Sequence, residues 1–251
     1  MSEGRFAYVT GGGSGIGKAA ALALAHQGLA VVVADMSAPA GEAAAAAVRE
    51  LGVEASSYVV DVTCSTDIQE SIAAGSDVFG SLAVAVNSAG VQGEIAAAGE
   101  CTEANWDQIV AVNLTGTFLS MRHELEQMLQ LGSGSIINIA SNFGLVGQRG
   151  MPAYCASKHG VLGLSKSAAL DYAPLGVRVN VVCPGPIATP LLESFVGSSG
   201  AGLLDNIKAS VPMNRVGTAA EVGEAIAWLA SDAASYVTGA VLSVDGGYVV
   251  P

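Results

Sequence analysis

The sequence predicts an α/β fold, a doubly wound parallel sheet of about seven strands with helices on both faces, in one domain of residues 1–251. Two observations predict this fold. Short, continuously apolar runs, which are typical of strands covered on both faces, alternate with longer segments rich in Ala, Leu and Glu. The 32 glycines are dispersed along the chain and form no linker, so a second domain is not required.

The apolar runs set the predicted order of elements. They predict strands at residues 6–9, 30–34, 57–60, 82–86, 136–139, 177–182 and 241–244. The segments between them predict helices at residues 18–26, 40–51, 105–131 and 154–172. Because ligands of such sheets bind outside the carboxyl ends of the strands, we expect the functional residues there.

Composition excludes several classes of function. A net charge of -12 with ten dispersed Lys and Arg argues against binding nucleic acid or an anionic membrane surface. Four separated cysteines and three histidines show no ligand spacing, so neither disulfides nor a metal site is predicted. The first strand follows Met1 without a signal-type segment, so a cytoplasmic location is expected.

A glycine-rich loop follows the first strand and opens a helix. Such a loop lets the backbone approach a pyrophosphate, whose charge the helix N-terminus stabilises. The predicted cofactor contacts in it are Gly11, Ser14, Gly15, Ile16 and Gly17. The same stretch nearly matches a triphosphate-binding loop, but Ala19 stands where that loop needs a magnesium-binding hydroxyl.

Asp35 ends the second apolar run, 18 residues after Gly17. A carboxylate at that point can accept hydrogen bonds from both ribose hydroxyls of an adenosine. No Arg or Lys follows in residues 36–39 to neutralise a 2′-phosphate. The cofactor predicted from these residues is NAD rather than NADP.

Tyr154 and Lys158 stand four residues apart at the start of a predicted helix, so they share one face. The ammonium is expected to lower the pKa of the phenol toward the range of a general acid-base. Ser141 ends the strand before them, where its hydroxyl can bind a substrate oxygen. Asn113 is an amide within an otherwise apolar helix. Tyr154, Lys158 and Ser141 together indicate proton chemistry at one strand end, whereas Asn113 taken alone can be a polar group of the core.

These motifs together resemble the short-chain dehydrogenase/reductase family, a Rossmann-type family, over essentially the whole chain. The segment Thr10 to Gly17 resembles its cofactor motif, and Asn113, Ser141, Tyr154 and Lys158 align with its catalytic tetrad. The resemblance implies further cofactor contacts at Asp61, Val62, Asn87, Ala89, Gly90, Pro184, Gly185, Ile187 and Thr189, beside Tyr154 and Lys158.

Two positions depart from the family pattern. Ser88 stands where the family usually has Asn, and Ala83 where an Asp commonly begins the fourth strand's motif. Neither position belongs to the catalytic tetrad that the resemblance implies. The departure at Ser88 puts the local hydrogen bonding in doubt.

The resemblance implies an NAD-dependent oxidoreductase that transfers a hydride between the nicotinamide and a hydrophobic secondary alcohol or ketone. A Ser-His-Asp hydrolase is disfavoured because no Gly-x-Ser-x-Gly elbow occurs. Two alternatives stay open: a catalytically silent NAD-binding sensor or scaffold, and a 3-ketoacyl-thioester reductase, which would normally use NADP.

The remaining predictions concern substrate and assembly. The resemblance places a substrate lid at about residues 190–212, including the glycine- and serine-rich stretch 197–202. Phe143, Met151, Leu192 and Phe195 are expected to make the substrate site apolar. The resemblance implies that the two helices at residues 105–131 and 154–172 form subunit interfaces of a homotetramer.

Overall fold

A seven-stranded parallel sheet forms the centre of the protein. The computed structural model describes residues 4–197 and 200–250. The strands are β1 (Arg5–Thr10), β2 (Ala30–Asp35), β3 (Ala55–Val59), β4 (Ser81–Asn87), β5 (Gly134–Ile139), β6 (Val177–Pro184), β7 (Ile187–Ala188), β8 (Gly217–Thr218) and β9 (Val241–Val244). The large sheet has the order β3-β2-β1-β4-β5-β6-β9, and its neighbouring strands pair in parallel. The predicted doubly wound sheet is confirmed.

Two strand predictions differ in detail from the structure. β3 begins two residues before the predicted run at 57–60 and ends one residue before that run does. Its side chains are half-buried or, at Val59, exposed, and Ser56 and Ser57 interrupt the apolar pattern. The short strands β7 and β8 pair with each other in a separate two-stranded sheet. At two residues each, they are too short to give a periodic signal.

The helices connect successive strands. They are α1 (Gly15–His26), α2 (Ala38–Arg49), α3 (Ser65–Phe79), α4 (Glu103–Val110), α5 (Gly116–Leu131), α6 (Pro152–Tyr172), α7 (Pro190–Val196), α8 (Gly200–Ala209) and α9 (Ala219–Ala230). Residues 105–131, predicted as one helix, are helical throughout, but not α-helical throughout. A π-helical turn, Ala111–Thr115, separates α4 from α5.

The sheet is covered on both faces. Helices α1, α2 and α9 pack on one face through small and branched side chains, such as Leu24, Val48 and Ile226. Helices α3, α5 and α6 cover the other face, where Ile72 and Met128 are buried against the sheet. Among the described residues, no helix is long and apolar enough to cross a membrane.

Candidate active site

A cavity of about 440 Å³ opens at the carboxyl edge of the sheet. The ends of β1, β2, β4, β5 and β6 all contribute to its wall. Most of the predicted site residues line it: Gly11, Ser14, Gly15, Ile16, Asp35, Val62, Ala89, Gly90, Ser141, Tyr154, Lys158, Pro184, Gly185, Ile187 and Thr189. The glycine loop and the Tyr154 cluster, predicted separately from distant segments, thus face one common space.

The backbone of the glycine loop is packed too closely for side chains. Gly11 has a φ of 62°, and a Cβ on it would lie 2.8 Å from the Ala89 backbone. A Cβ on Gly17 would lie 2.2 Å from the Gly11 carbonyl oxygen. Gly17 is buried and does not line the cavity. Its lack of a side chain allows α1 to pass close to the turn at Gly11.

The N-terminus of α1 points into the cavity and carries no side-chain cap. Ser14 is the N-cap residue, but its hydroxyl makes no capping hydrogen bond, and the first turn contains no acidic residue. Ser14, Gly15 and Ile16 line the cavity at this end. The free N–H groups and the positive end of the helix dipole fit the phosphates of a dinucleotide.

Asp35 lies at the end of β2, beside the glycine loop. Its Oδ2 accepts a hydrogen bond from the Gly13 N–H at 2.9 Å, and its Oδ1 accepts one from the Ser37 N–H at 2.9 Å. These two bonds fix the orientation of the carboxylate. Each oxygen keeps capacity for a further donor, so the half-buried group can still accept hydroxyls from a bound ribose.

The segment after β6 closes the opposite wall of the same space. Thr189 caps α7 by accepting a hydrogen bond from the Leu192 N–H at 3.4 Å. A Cβ on Gly15 would lie 3.3 Å from Thr189 Cγ2, so this segment directly approaches the start of α1. A ligand between them would contact both the glycine loop and the segment around Ile187.

Tyr154 and Lys158 lie one helical turn apart at the start of α6 and are both buried. The Lys158 ammonium donates a hydrogen bond to the Ile139 carbonyl oxygen at 2.9 Å and lies 5.8 Å from the centroid of the Tyr154 ring. The Ser141 hydroxyl donates to Asn142 Oδ1 at 3.0 Å and accepts from the Phe143 N–H at 3.1 Å. These bonds hold the serine beside the tyrosine.

Burial dominates the ionisation of this cluster. It raises the pKa of Tyr154, against a lowering by the Ser141 hydroxyl, and it lowers the pKa of Lys158 to about 8. The net shift in the pKa of Tyr154 is therefore upward, opposite to the net lowering expected from the sequence. Loss of hydration disfavours the phenolate more than its polar neighbours favour it.

Asn113 lies in the π-helical turn and is fully buried. Its Nδ2 donates to the Val91 carbonyl oxygen at 2.9 Å and to Ser157 Oγ at 3.2 Å, and its Oδ1 accepts from the Val91 N–H at 2.8 Å. Both amide hydrogens are therefore used within the protein. Asn113 fixes the segment after Gly90, where a Cβ would lie 3.2 Å from Asn113 Oδ1.

Two other predicted cofactor contacts lie outside the cavity lining. Asp61 accepts hydrogen bonds from the N–H and the hydroxyl of Thr63, at 2.9 and 2.7 Å, and so shapes the turn before α3. Asn87 is buried below the cavity and donates to Glu124 and Asn138. Their neighbours Val62 and Ala89 form the wall instead.

The substrate end of the cavity contains residues that the sequence alone did not indicate. Tyr248, Gln92 and Gln148 line it together with the four predicted apolar residues Phe143, Met151, Leu192 and Phe195. Tyr248 directly follows Gly247, and nothing in its sequence context points to a ligand. The predicted lid contains α7 and α8, while Ser198 and Ser199 lie outside the described residues.

The chain resembles known enzymes over nearly its full length. A family model described as enoyl-(acyl carrier protein) reductase matches residues 11–249. The cyclohexanol dehydrogenase of Acinetobacter sp. (strain SE19) is 39% identical over 244 residues, 97% of this chain and 94% of that enzyme. The cis-4-hydroxycyclohexanecarboxylate dehydrogenase of Sinomonas cyclohexanicum is 42% identical over 248 residues, 97% of this chain and 96% of that enzyme.

Solved structures show the same fold with nicotinamide cofactors of both kinds. A structure of NAD+-bound xylitol dehydrogenase has a TM-score of 0.93 and 34% identity, covering 98% of this chain and 100% of that one. A structure of actinorhodin polyketide ketoreductase with NADPH has a TM-score of 0.94 and 35% identity, covering 100% and 99%. The fold therefore accommodates NAD+ in one neighbour and NADPH in another.

Proposed function

Because the chain belongs to the short-chain dehydrogenase/reductase family, we propose that it is an NAD-dependent dehydrogenase of hydrophobic, ring-shaped secondary alcohols. That it is an oxidoreductase acting on hydroxyl or carbonyl groups follows from its relatives. The observation that carries the proposal is the single cavity that joins the uncapped helix and Asp35 at one end to Ser141, Tyr154 and Lys158 at the other.

Each residue of the site has a separate role in alcohol oxidation. A bound nicotinamide nucleotide supplies the hydride acceptor. Tyr154 takes the hydroxyl proton as the general base, and the Ser141 hydroxyl hydrogen-bonds the substrate oxygen and stabilises its developing charge. Ketone reduction uses the same groups in reverse.

Lys158 and Asn113 support this proton transfer. The ammonium lies near enough to the Tyr154 ring to favour the phenolate once a substrate is bound, and it can reach a nicotinamide ribose in the cavity. Asn113 acts through its hydrogen bonds with Val91, which fix the cavity wall that Gly90 and Val91 form.

Asp35 supports NAD as the cofactor. Its carboxylate lines the cavity at the end of β2 and would repel a 2′-phosphate, while Met36 and Ser37 offer no positive charge. The uncapped N-terminus of α1 would bind the pyrophosphate, and Thr189 would hydrogen-bond the carboxamide of the nicotinamide.

The walls of the cavity support an apolar substrate. Phe143, Met151, Leu192 and Phe195 surround the space next to Tyr154. The cyclohexanol dehydrogenase and the hydroxycyclohexanecarboxylate dehydrogenase are named for a hydroxyl group on a six-membered ring. A compact ring of that size would leave the polar groups of the cavity free to bind a second substituent.

A substrate panel tests the proposal directly. Purified enzyme is mixed with NAD or NADP and with cyclohexanol, 2-hexanol or a 3-hydroxyacyl thioester, and the absorbance of the reduced cofactor is followed. We expect the fastest turnover with NAD and cyclohexanol. Turnover of the thioester with NADP alone would support the ketoacyl reductase, and cofactor binding without any turnover would support the sensor.

We also propose that the enzyme is a homotetramer that associates through α5 and α6. Large apolar side chains are exposed on both helices, with Phe118 at 46% and Leu170 at 80% of their full accessibility. Light scattering should give a multiple of the 24.9 kDa chain. A mass equal to one chain would contradict this assembly.

A further inference from the structure

Glu124, on α5, is a fully buried carboxyl group that the proposed reaction does not use. It makes no ion pair among the described residues. Its one hydrogen bond comes from Asn87 Nδ2, which donates to Glu124 Oε2 at 3.0 Å. A buried carboxylate without a counter-charge is expensive, so this group needs an explanation.

A directed chain of hydrogen bonds fixes the orientation of the amides beside it. Ser165 Oγ donates to the Val161 carbonyl oxygen, so it accepts from Asn138 Nδ2, at 2.8 Å. Asn138 Oδ1 must then face Asn87, whose Nδ2 donates to it at 2.9 Å. The amide oxygen of Asn87 is left facing away from this chain.

Among the buried atoms of the described residues that lack a hydrogen-bond partner, two are oxygens of this pair of side chains. They are Asn87 Oδ1 and Glu124 Oε1. Both are acceptors if Glu124 is ionised, and neither can then be satisfied in a site that excludes solvent. A single proton on Glu124 Oε1 would turn that oxygen into a donor, and the amide oxygen of Asn87, the residue already bonded to this carboxyl group, is an acceptor without a partner.

We propose that Glu124 is a neutral carboxylic acid in the native enzyme and that its hydroxyl donates to Asn87 Oδ1, forming a cyclic acid–amide pair that positions the end of β4. Asn87 is the last residue of β4, and Ala89 and Gly90 in the cavity wall follow it. Its bond to Asn138 also ties β4 to β5, three residues before Ser141. Glu124 is therefore a positioning residue for both halves of the site.

The electrostatic surroundings agree with a neutral acid. Burial raises the pKa of Glu124 to about 8. Tyr8 on β1 lies within electrostatic range, and its own pKa is raised by burial, Glu124 and Asp67 on α3. On α5 itself, His123 faces Glu126 and Ser65. On α6, Lys158 is directed to the Ile139 carbonyl oxygen.

In alkaline solution the end of β4 and the adjoining cavity wall should lose order. Ionisation of Glu124 removes the proton between the two oxygens and leaves a buried charge, so β4 and the cofactor wall should loosen as the pH rises through about 8. Glu124→Gln preserves the geometry without the titration, because its amide can donate to Asn87 Oδ1 and accept from Asn87 Nδ2 at every pH.

Infrared difference spectroscopy on the full-length enzyme tests the proton itself, independently of the proposed function. We expect the carbonyl band of a protonated carboxylic acid at pH 7 in wild type and in Glu126→Gln, an exposed control on the same helix. The band should be missing in Glu124→Gln. Its absence from wild type at pH 7 would overturn the proposal.

Fluorescence titration with NADH between pH 6.5 and 9.5 tests the positioning role. The affinity of wild type should fall about tenfold more than that of Glu124→Gln over this range. Titration of Lys158 and Tyr154 affects both proteins equally and cancels in the comparison. Parallel curves for the two proteins would overturn the positioning role.

Discussion

The rings of Phe143 and Tyr248 meet edge to face, with their centroids 6.1 Å apart and their planes at 76°. Phe143 follows Ser141 by two residues, whereas Tyr248 lies beyond the last strand. The contact therefore joins the segment around Ser141 to the C-terminal turn. Both rings line the cavity, where they form part of its apolar wall.

The turn that carries Tyr248 is held firmly. Asp245 Oδ1 accepts a hydrogen bond from the Gly247 N–H at 2.9 Å, and its Oδ2 accepts one from the Val249 N–H at 3.0 Å. These bonds bracket Tyr248. A Cβ on Gly247 would lie 3.2 Å from Pro212, so the turn also packs against the end of the predicted lid.

Tyr248→Ala should lower kcat/KM for cyclohexanol about tenfold, because the substrate loses one apolar wall. Tyr248→Phe keeps the ring and should stay within about twofold of wild type. Steady-state kinetics with saturating NAD measure the effect. Tyr236→Ala, at a fully exposed tyrosine, is the control, and equal losses in both alanine variants would contradict a role for Tyr248 in the substrate site.

Tyr154→Phe should abolish turnover and leave NADH affinity nearly unchanged, since it removes the ionisable oxygen and little volume. Turnover is followed by absorbance and affinity by fluorescence titration. Tyr172→Phe, at the other end of α6, should behave as wild type. Wild-type turnover in the Tyr154 variant would refute its assignment as the general base.

Lys158→Met should abolish turnover and raise the free energy of unfolding by about 1 kcal/mol, because it removes a buried charge that has no carboxylate partner. The folded-state pKa of Lys158 is lowered to about 8 from 10.5. Below pH 8 the full cost of burying the charge is present, and between about 8 and 10.5 the stability of wild type rises. The advantage of the variant should shrink over that interval.

Thermal unfolding at pH 7 and at pH 10 measures this difference. Lys166→Met, at an exposed position on the same helix, is the control and should show no comparable change. A lower Tm for Lys158→Met at pH 7 would mean that the hydrogen bond to Ile139 contributes more than the charge costs.

Asp35→Ala should raise the KM for NAD about tenfold and reduce the preference for NAD over NADP, because it removes both a hydroxyl acceptor and a negative charge. The KM for each cofactor is measured at a saturating alcohol concentration. Asp77→Ala, at an exposed aspartate on α3, should leave both values unchanged. A wild-type preference for NADP would contradict the cofactor assignment.

Much of the fold and of the cofactor end could be predicted from the sequence. Continuous apolar runs occur where both faces of a strand are covered, as in β1 and β4. This pattern can be recognised in the sequence without knowing which strands are neighbours in the sheet. The glycine loop is local in sequence, and so is the spacing of Tyr154 and Lys158. Local patterns of this kind can be recognised from one chain.

The parts that could not be predicted depend on contacts between distant segments. Tyr248 acquires its role only from its contact with Phe143, and Glu124 only from its contact with Asn87. The direction of the Tyr154 pKa shift was mistaken because burial, which dominates it, is a property of the folded chain. The spacing of residues along the sequence does not reveal how deeply a side chain is buried.

Harmful substitutions in the glycine loop should give two different phenotypes, because Gly17 crosses close to Gly11 whereas Gly15 lines the cavity. A side chain at Gly17 collides with backbone and should leave too little folded protein in the cell. A side chain at Gly15 meets the Thr189 side chain rather than backbone at the edge of the cavity, and the strain at its φ of 51° costs about 1–2 kcal/mol, so it should leave more folded protein that lacks activity. A genetic screen that reads only activity would count both as cofactor-site mutations, and a parallel measurement of protein abundance would separate them.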